Sequence, residues 1–250
     1  MRVVRFLHGE QEHFGALESE AIRVFDGNPL EGAKLGDIVL ALSDCKLLAP
    51  VKPSKAICIG MNYAAHAAEI SQAVPDEPLM FFKPVSAIIG TGEQIVLPHQ
   101  SNKVELEAEL TVVIGKTAKN ISVEEAKDYI FGYTIANDVT ARDLQFSDLQ
   151  WARSKGFDTF CPLGPWIETE YSASNKRVSS RINGEVRQSA TTNDMTFDVH
   201  KLVSYVSENV TLLPGDIILT GSPAGISRIT SGDFVECEIE GIGVLSNPVA

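Results

Sequence analysis

The sequence lacks any run of about 18 apolar residues, so no membrane-spanning helix is expected. It lacks a cysteine framework as well. Cys45, Cys58, Cys161 and Cys237 form no C-x-x-C pair, and their spacing matches neither a zinc site nor a disulfide scaffold, which leaves buried thiols in a reducing compartment. No Lys/Arg run offsets a formal net charge of −12, so nucleic acid and anionic membranes are poor partners. The opening MRVVRFLHGEQEHFG turns polar too early for a signal peptide, which points to the cytoplasm, or to an organelle interior after processing.

What is present suits a soluble enzyme-sized chain. The 250 residues are 44% hydrophobic, enough to bury a substantial core. Many short apolar strands with few helices predict a mainly β fold (α+β) closed into a roll or sandwich. Residues 1–52 read as a small β-rich N-terminal domain that ends in a linker around Pro50 and Pro53, and 53–250 as the main domain. Asn62 is placed to cap a short helix from Tyr63, and Ser122–Glu125 forms a capping box for a helix reaching about Ile130. Val199, Leu202, Val203 and Val206 give one amphipathic helix, and Asn183-Gly184 marks a hairpin turn.

The sharpest signal is the segment Val104–Gly115, VELEAELTVVIG. Side chains alternate along a strand, so Glu105, Glu107 and Glu109 would share one face. A solvated face is the usual explanation for such a pattern. Here the strand continues as nearly unbroken apolar sequence, which suits burial on both faces. Buried neighbouring carboxylates need a partner, and a hard divalent cation (Mg²⁺, Mn²⁺ or Ca²⁺) is the natural one. Asp138, at the end of the next apolar strand, could add a third carboxylate, with Arg142 and Gln145 close behind it. Lys155 lies in a Gly/Pro-rich segment. LTGSPAG, Leu219–Gly225, is a strand running into a loop where Thr220 and backbone N–H groups could take an anion. His66 and Glu69, three apart on a short helix, would face each other, and the carboxylate would orient the imidazole.

Five motifs occur in order. They are CIGMNYAAHAAE (Cys58–Glu69), EAELTVVIGK (Glu107–Lys116), NDVTARDLQ (Asn137–Gln145), KGFDTF with PLGP (Lys155–Pro165), and LTGSPAG (Leu219–Gly225). Together they resemble the fumarylacetoacetate hydrolase superfamily over roughly residues 53–250, and residues 1–50 resemble the variable N-terminal domain of many members. The resemblance implies a mixed β-sandwich roll, a homodimer and a bound Mg²⁺- or Mn²⁺-type ion. It implies Glu107, Glu109 and Asp138 as metal ligands, His66, Glu69 and Lys155 as catalytic groups, and Arg142, Gln145 and Thr220 as substrate contacts. Glu105 falls just outside the family's pair, and Ser222 stands where threonine is common. The expected reaction is C–C cleavage of a small 2-oxo acid, by hydrolysis of an acylpyruvate or by decarboxylation, with isomerisation second. A non-catalytic metal-containing binding protein is the alternative of another class.

Overall fold

Short apolar runs separated by Gly, Pro and Asn dominate the chain, and they settle into three sheets. The computed structural model describes all residues, Met1–Ala250. Strands β1 (Arg2–His8), β2 (Gln11–Glu18), β3 (Ala21–Phe25), β4 (Leu35–Ala41) and β5 (Lys46–Leu47) come first. Strand β6 (Ala56–Gly60), helix α1 (Ala64–Glu69), and strands β7 (Leu79–Lys83) and β8 (Ile88–Ile89) lead to β9 (Val104–Leu106) and β10 (Ala108–Ile114). After β11 (Ile130–Asn137) and β12 (Thr140–Ala141) come helices α2 (Arg142–Ser147) and α3 (Ala152–Gly156), then β13 (Cys161–Glu168). Strands β14 (Arg177–Ile182) and β15 (Glu185–Thr191), helix α4 (Val199–Asn209), and strands β16 (Ile217–Leu219), β17 (Ser227–Arg228), β18 (Phe234–Ile239) and β19 (Gly243–Pro248) complete the chain.

The largest sheet runs β4-β3-β2-β1-β13-β11-β10-β16-β6-β7, with β5 on β1 and β8 on β13. It is mixed, because β16 pairs parallel with β6 while β10 pairs antiparallel with both β11 and β16. The N-terminal strands extend this sheet through β1 on β13. Two smaller sheets, β12-β9-β17 and β15-β14-β18-β19, pack around it. The architecture is thus the mainly β, mixed roll that the sequence predicts, and no helix is long and apolar enough to cross a membrane.

Every residue of β10 is buried. Its Ala108, Leu110, Val112 and Ile114 pack with Val178, Cys237, Ile239 and the apolar stripe of α4. Its opposite face carries Val113 into a second cluster with Val3, Cys58, Cys161 and Leu219. Alternation therefore aims Glu109, on the Val113 face, into the interior of the roll rather than into solvent.

Three local expectations are corrected. The Ser122–Glu125 capping box does form, with the Ser122 N–H on Glu125 at 2.8 Å and the Glu125 N–H on the Ser122 hydroxyl at 3.3 Å. It opens only a 3₁₀ turn, Ala126–Tyr129, because the strand-forming run from Ile130 follows at once and leaves no length for a helix. Helix α1 begins at Ala64, and Asn62 does not cap it. Its side chain instead donates to the carbonyls of Phe197 (3.0 Å) and Thr220 (2.7 Å) and accepts the Phe197 N–H (2.8 Å). A buried amide that ties three segments together is expensive to remove. Asn62→Ala is expected to cost about 2 kcal/mol by orphaning those backbone groups, read as a lower urea midpoint. Finally, Lys155 is on helix α3 rather than in a loop.

Candidate active site

The acidic segment is not one strand. It breaks at Glu107, with β9 joining the small sheet between β12 and β17, and β10 joining the large one. The break is held by the Glu107 N–H donating to the Asn137 side chain at 2.9 Å and by the Asp138 N–H donating to the Glu107 carbonyl at 2.8 Å. These bonds bring Asp138, just past the end of β11, beside the two glutamates. One oxygen from each of Glu107, Glu109 and Asp138 lies within 4.8 Å of the others, and all three residues are buried.

Their partners differ. Glu107 accepts Arg142 on one oxygen and Lys155 on the other, the latter at 2.9 Å. Burial alone would raise its pKa, but Lys155 and Arg142 outweigh that and hold the carboxyl well below the ordinary range. Asp138 accepts Lys83 at 2.5 Å and Lys155 at 2.6 Å. Glu109 has no cation of its own and accepts only the Gly221 N–H, at 2.8 Å. Burial, with Asp138 and Glu107 alongside, pushes its carboxyl well above the usual range. Burial would lower the Lys155 ammonium, and the charges of Asp138 and Glu107 raise it instead.

Gly221 is required where it sits. Its φ is +100°, and an added Cβ would meet the Asn62 Cβ at 2.7 Å. Its loop is held from the other side by Gln188, which donates to the Ser222 hydroxyl and the Pro223 carbonyl, each at 2.7 Å.

His66 and Glu69 meet as α1 predicts, Nδ1 to Oε2 at 3.3 Å, and Glu69 also takes the Gly225 N–H at 3.0 Å. That leaves Nε2 of His66 as the ring nitrogen open to a substrate. Gln145 accepts from Arg142 within α2. A small cavity of about 20 Å³ is lined by His66, Glu107, Glu109, Asp138, Lys155 and Ser222, among others. It holds roughly one water molecule, so a 2-oxo acid fits only when lining side chains move. A larger cleft of about 550 Å³ near Tyr133 and Tyr171 contains none of these groups.

Of the residues singled out from the sequence, His66, Glu69, Glu107, Glu109, Asp138, Arg142, Gln145 and Lys155 are brought together. Thr220 is turned away: its hydroxyl donates to the Leu110 carbonyl at 2.8 Å, and Ser222 lines the cavity instead. Lys83 was not singled out. It is fully buried, and its ammonium also donates to the Val139 carbonyl at 3.1 Å. Glu105 does not join the carboxylate cluster. It receives Arg142 Nε at 2.7 Å and Lys103 at 3.1 Å.

The donor set fits a metal. Three carboxylates converge where the third lacks a cation, and all-oxygen donors suit a hard divalent ion.

The family model described as fumarylacetoacetate (FAA) hydrolase, C-terminal, matches residues 55–250. The chain belongs to the fumarylacetoacetate hydrolase family. Residues 1–50 match a second model, described as Rv2993c-like, N-terminal. This family member is 47% identical over 224 residues to a mitochondrial oxaloacetate tautomerase of Bos taurus, across 84% of this chain and 71% of that one. It resembles the crystal structure of 5-carboxymethyl-2-hydroxymuconate delta-isomerase from Mycobacterium smegmatis with TM-score 0.94 and 42% identity, over 100% of this chain and 99% of the other. It resembles maleylpyruvate hydrolase from Sphingobium sp. SYK-6, solved with manganese (II) and pyruvate, with TM-score 0.83 and 28% identity, over 100% and 99% of the two chains. Enzymes of this fumarylacetoacetate hydrolase group thus include isomerases, a tautomerase and a hydrolase.

Proposed function

We propose that this chain enolises a short 2-oxo acid, moving a proton at the carbon next to the 2-oxo group in a keto–enol or double-bond isomerisation. The observation that carries this reading is the placement of His66, oriented by Glu69, in the same small cavity as Glu107, Glu109 and Asp138. Glu107, Glu109 and Asp138 would hold a divalent ion, Mg²⁺ or Mn²⁺, which would supply Lewis-acid polarisation of the 2-oxo group. Lys155 and Arg142 add fixed positive charge at the cavity wall, and Gln145 holds the Arg142 fork. His66 takes the proton from carbon and returns it, with Glu69 steadying the imidazolium.

C–C cleavage, the leading expectation from the sequence alone, becomes the second reading. Relatives at 47% and 42% identity are named tautomerase and isomerase, which supports proton transfer first. The manganese and pyruvate in the hydrolase relative support cleavage as an alternative fate of the same enolate, and support Mn²⁺ as a usable ion.

An ultraviolet assay of oxaloacetate and of acetylpyruvate with Mg²⁺, Mn²⁺ or EDTA tests this. Metal-dependent, EDTA-sensitive conversion of enol to keto oxaloacetate is expected. Loss of acetylpyruvate at a comparable rate selects cleavage, and no change in either substrate with either metal rejects both readings. His66→Ala is expected to keep Mn²⁺ binding and to lower turnover about 10²–10⁴-fold, the usual worth of a positioned acid–base group. An unchanged rate removes the histidine from the reaction.

A further inference from the structure

Strand β15 makes an odd choice of residue to bury. Gln188 is the only buried position of its seven residues, while Val186 on the same strand is exposed. A buried amide brings two N–H donors and an acceptor oxygen that all need partners, where an aliphatic side chain would need none. Gln188 lies outside the five sequence motifs. We propose that Gln188 is a positioning residue for the active site. It fixes which way the Ser222 proton points, so that this hydroxyl meets a bound acid as a hydrogen-bond donor and not as an acceptor. The proposal rests on the 2-oxo acid reading above.

Four hydrogen bonds set the amide. Its Oε1 accepts the Ala108 N–H at 3.0 Å and the Ser180 hydroxyl at 2.9 Å. Its Nε2 donates to Ser222 Oγ and to the Pro223 carbonyl, each at 2.7 Å. The amide cannot be turned over. The reverse orientation would set Oε1 against the Pro223 carbonyl and the amide hydrogens against the Ala108 N–H, acceptor on acceptor and donor on donor. Ser222 Oγ therefore accepts from Gln188, and its own proton has no acceptor in the protein. Ser222 is almost wholly buried and lines the cavity of Glu107, Glu109 and Asp138. A buried donor without a partner is costly, and an oxygen of a bound acid supplies that partner.

The backbone around Gln188 keeps this arrangement rigid. The loop after β16 sits directly on β15: Gly225 has φ +101°, and an added Cβ there would meet the Arg187 carbonyl oxygen at 2.1 Å. The Gly225 N–H in turn donates to Glu69, the partner of His66. The Ala108 N–H that Gln188 accepts belongs to the first residue of β10, between Glu107 and Glu109. One side chain thus ties the Ser222 hydroxyl to the strand that carries the glutamates, and a donor fixed before binding needs no reorganisation when charge develops beside it. Without the amide, the Ser222 proton is free to turn to the Pro223 carbonyl, which has lost the same donor.

The test is a calorimetric titration of the Mn²⁺-loaded protein with oxalate, a non-reacting acid shaped like the planar head of a 2-oxo acid enolate. Gln188→Met and Ser222→Ala are each expected to weaken oxalate binding about tenfold, the worth of one hydrogen bond to a charged acceptor. Kd for Mn²⁺ should stay within about twofold of native in both. Ser222→Thr keeps a hydroxyl and should bind oxalate as the native chain does. The double variant should bind it no more weakly than Ser222→Ala alone, because the glutamine acts through that hydroxyl. Should Gln188→Met not fold by circular dichroism, Gln188→Glu replaces it; its carboxylate offers Ser222 an acceptor in place of a donor, and the same loss is expected. Native oxalate affinity in either single variant, or losses that multiply to about a hundredfold in the double, overturns the proposal. An equal loss of Mn²⁺ affinity in the folded Gln188 variant also overturns it, as the mark of a merely structural role. No oxalate binding by the native protein rejects the 2-oxo acid reading itself, and the role of Gln188 with it.

Discussion

Glu109→Gln is expected to make the metal-free protein more stable while abolishing its turnover. Glu109 is buried between two other carboxylates and has one hydrogen-bond partner, the Gly221 N–H. Glutamine keeps the shape and can accept that bond, and it carries no charge. The sign follows from the direction of the shift. Burial, with Asp138 and Glu107, raises the folded-state value of this carboxyl, so the fold binds its proton more tightly than the unfolded chain does. Stability is then lost as pH climbs above the unfolded value of about 4.3 and toward the folded one. The variant escapes that loss, so its advantage is absent near pH 4 and present at neutral pH. About 1 kcal/mol, or roughly 2–4 °C in Tm at this chain length, is expected in EDTA by calorimetry. Mn²⁺ affinity, followed by electron paramagnetic resonance, should fall by more than about 100-fold, beyond what changes outside the ligand set produce. A variant that is less stable at neutral pH, or one that holds Mn²⁺ as tightly as the native chain, contradicts this view of the site.

Two residues earlier the same kind of change has the opposite effect on stability. Glu107→Ala removes the carboxylate that takes both Arg142 and Lys155, and all three groups are almost wholly buried. Asp138 and Glu105 remain as anions for Lys155 and Arg142. Even so, each cation loses one of its charged partners in a region of low dielectric. Breaking a buried pair in this way costs about 3–5 kcal/mol, expected here as a drop of roughly 10 °C in Tm. Metal binding and turnover should be lost together. The contrast with Glu109→Gln is the informative part, since a purely structural cluster would be weakened by both substitutions. Equal destabilisation by the two, measured by urea unfolding in EDTA, would mean that Glu109 is a structural partner rather than a ligand awaiting a cation.

These effects were partly legible in the sequence. The two-residue period of Glu105, Glu107 and Glu109, with the apolar run that follows, was enough to expect buried carboxylates on one strand face. It could not show that the strand changes sheets at Glu107. That break depends on β12 and β17, which are distant in the chain and pair with β9 only in the folded molecule. Glu105 accordingly leaves the cluster to serve Arg142 and Lys103. His66 and Glu69 were readable because their contact is local, one turn of a helix. Lys83 was not, because a single lysine closing an apolar strand looks like a solvated strand end until Asp138 is folded against it. The Thr220 hydroxyl misled for a related reason: a small-residue loop suggests an anion cradle, but in the fold the hydroxyl joins its own backbone N–H on the Leu110 carbonyl of the neighbouring strand. Asn62 likewise satisfies distant backbone groups of Phe197 and Thr220 in preference to the adjacent helix end.

The central claim is that Glu107, Glu109 and Asp138 hold the ion on which the chemistry depends. Anomalous scattering from a crystal soaked in Mn²⁺ tests it most directly. A single strong peak within bonding distance of all three carboxylates, absent from a Glu109→Gln crystal soaked in the same way, is the predicted result. A peak that lies elsewhere, or no peak in a crystal that still turns over substrate, contradicts it.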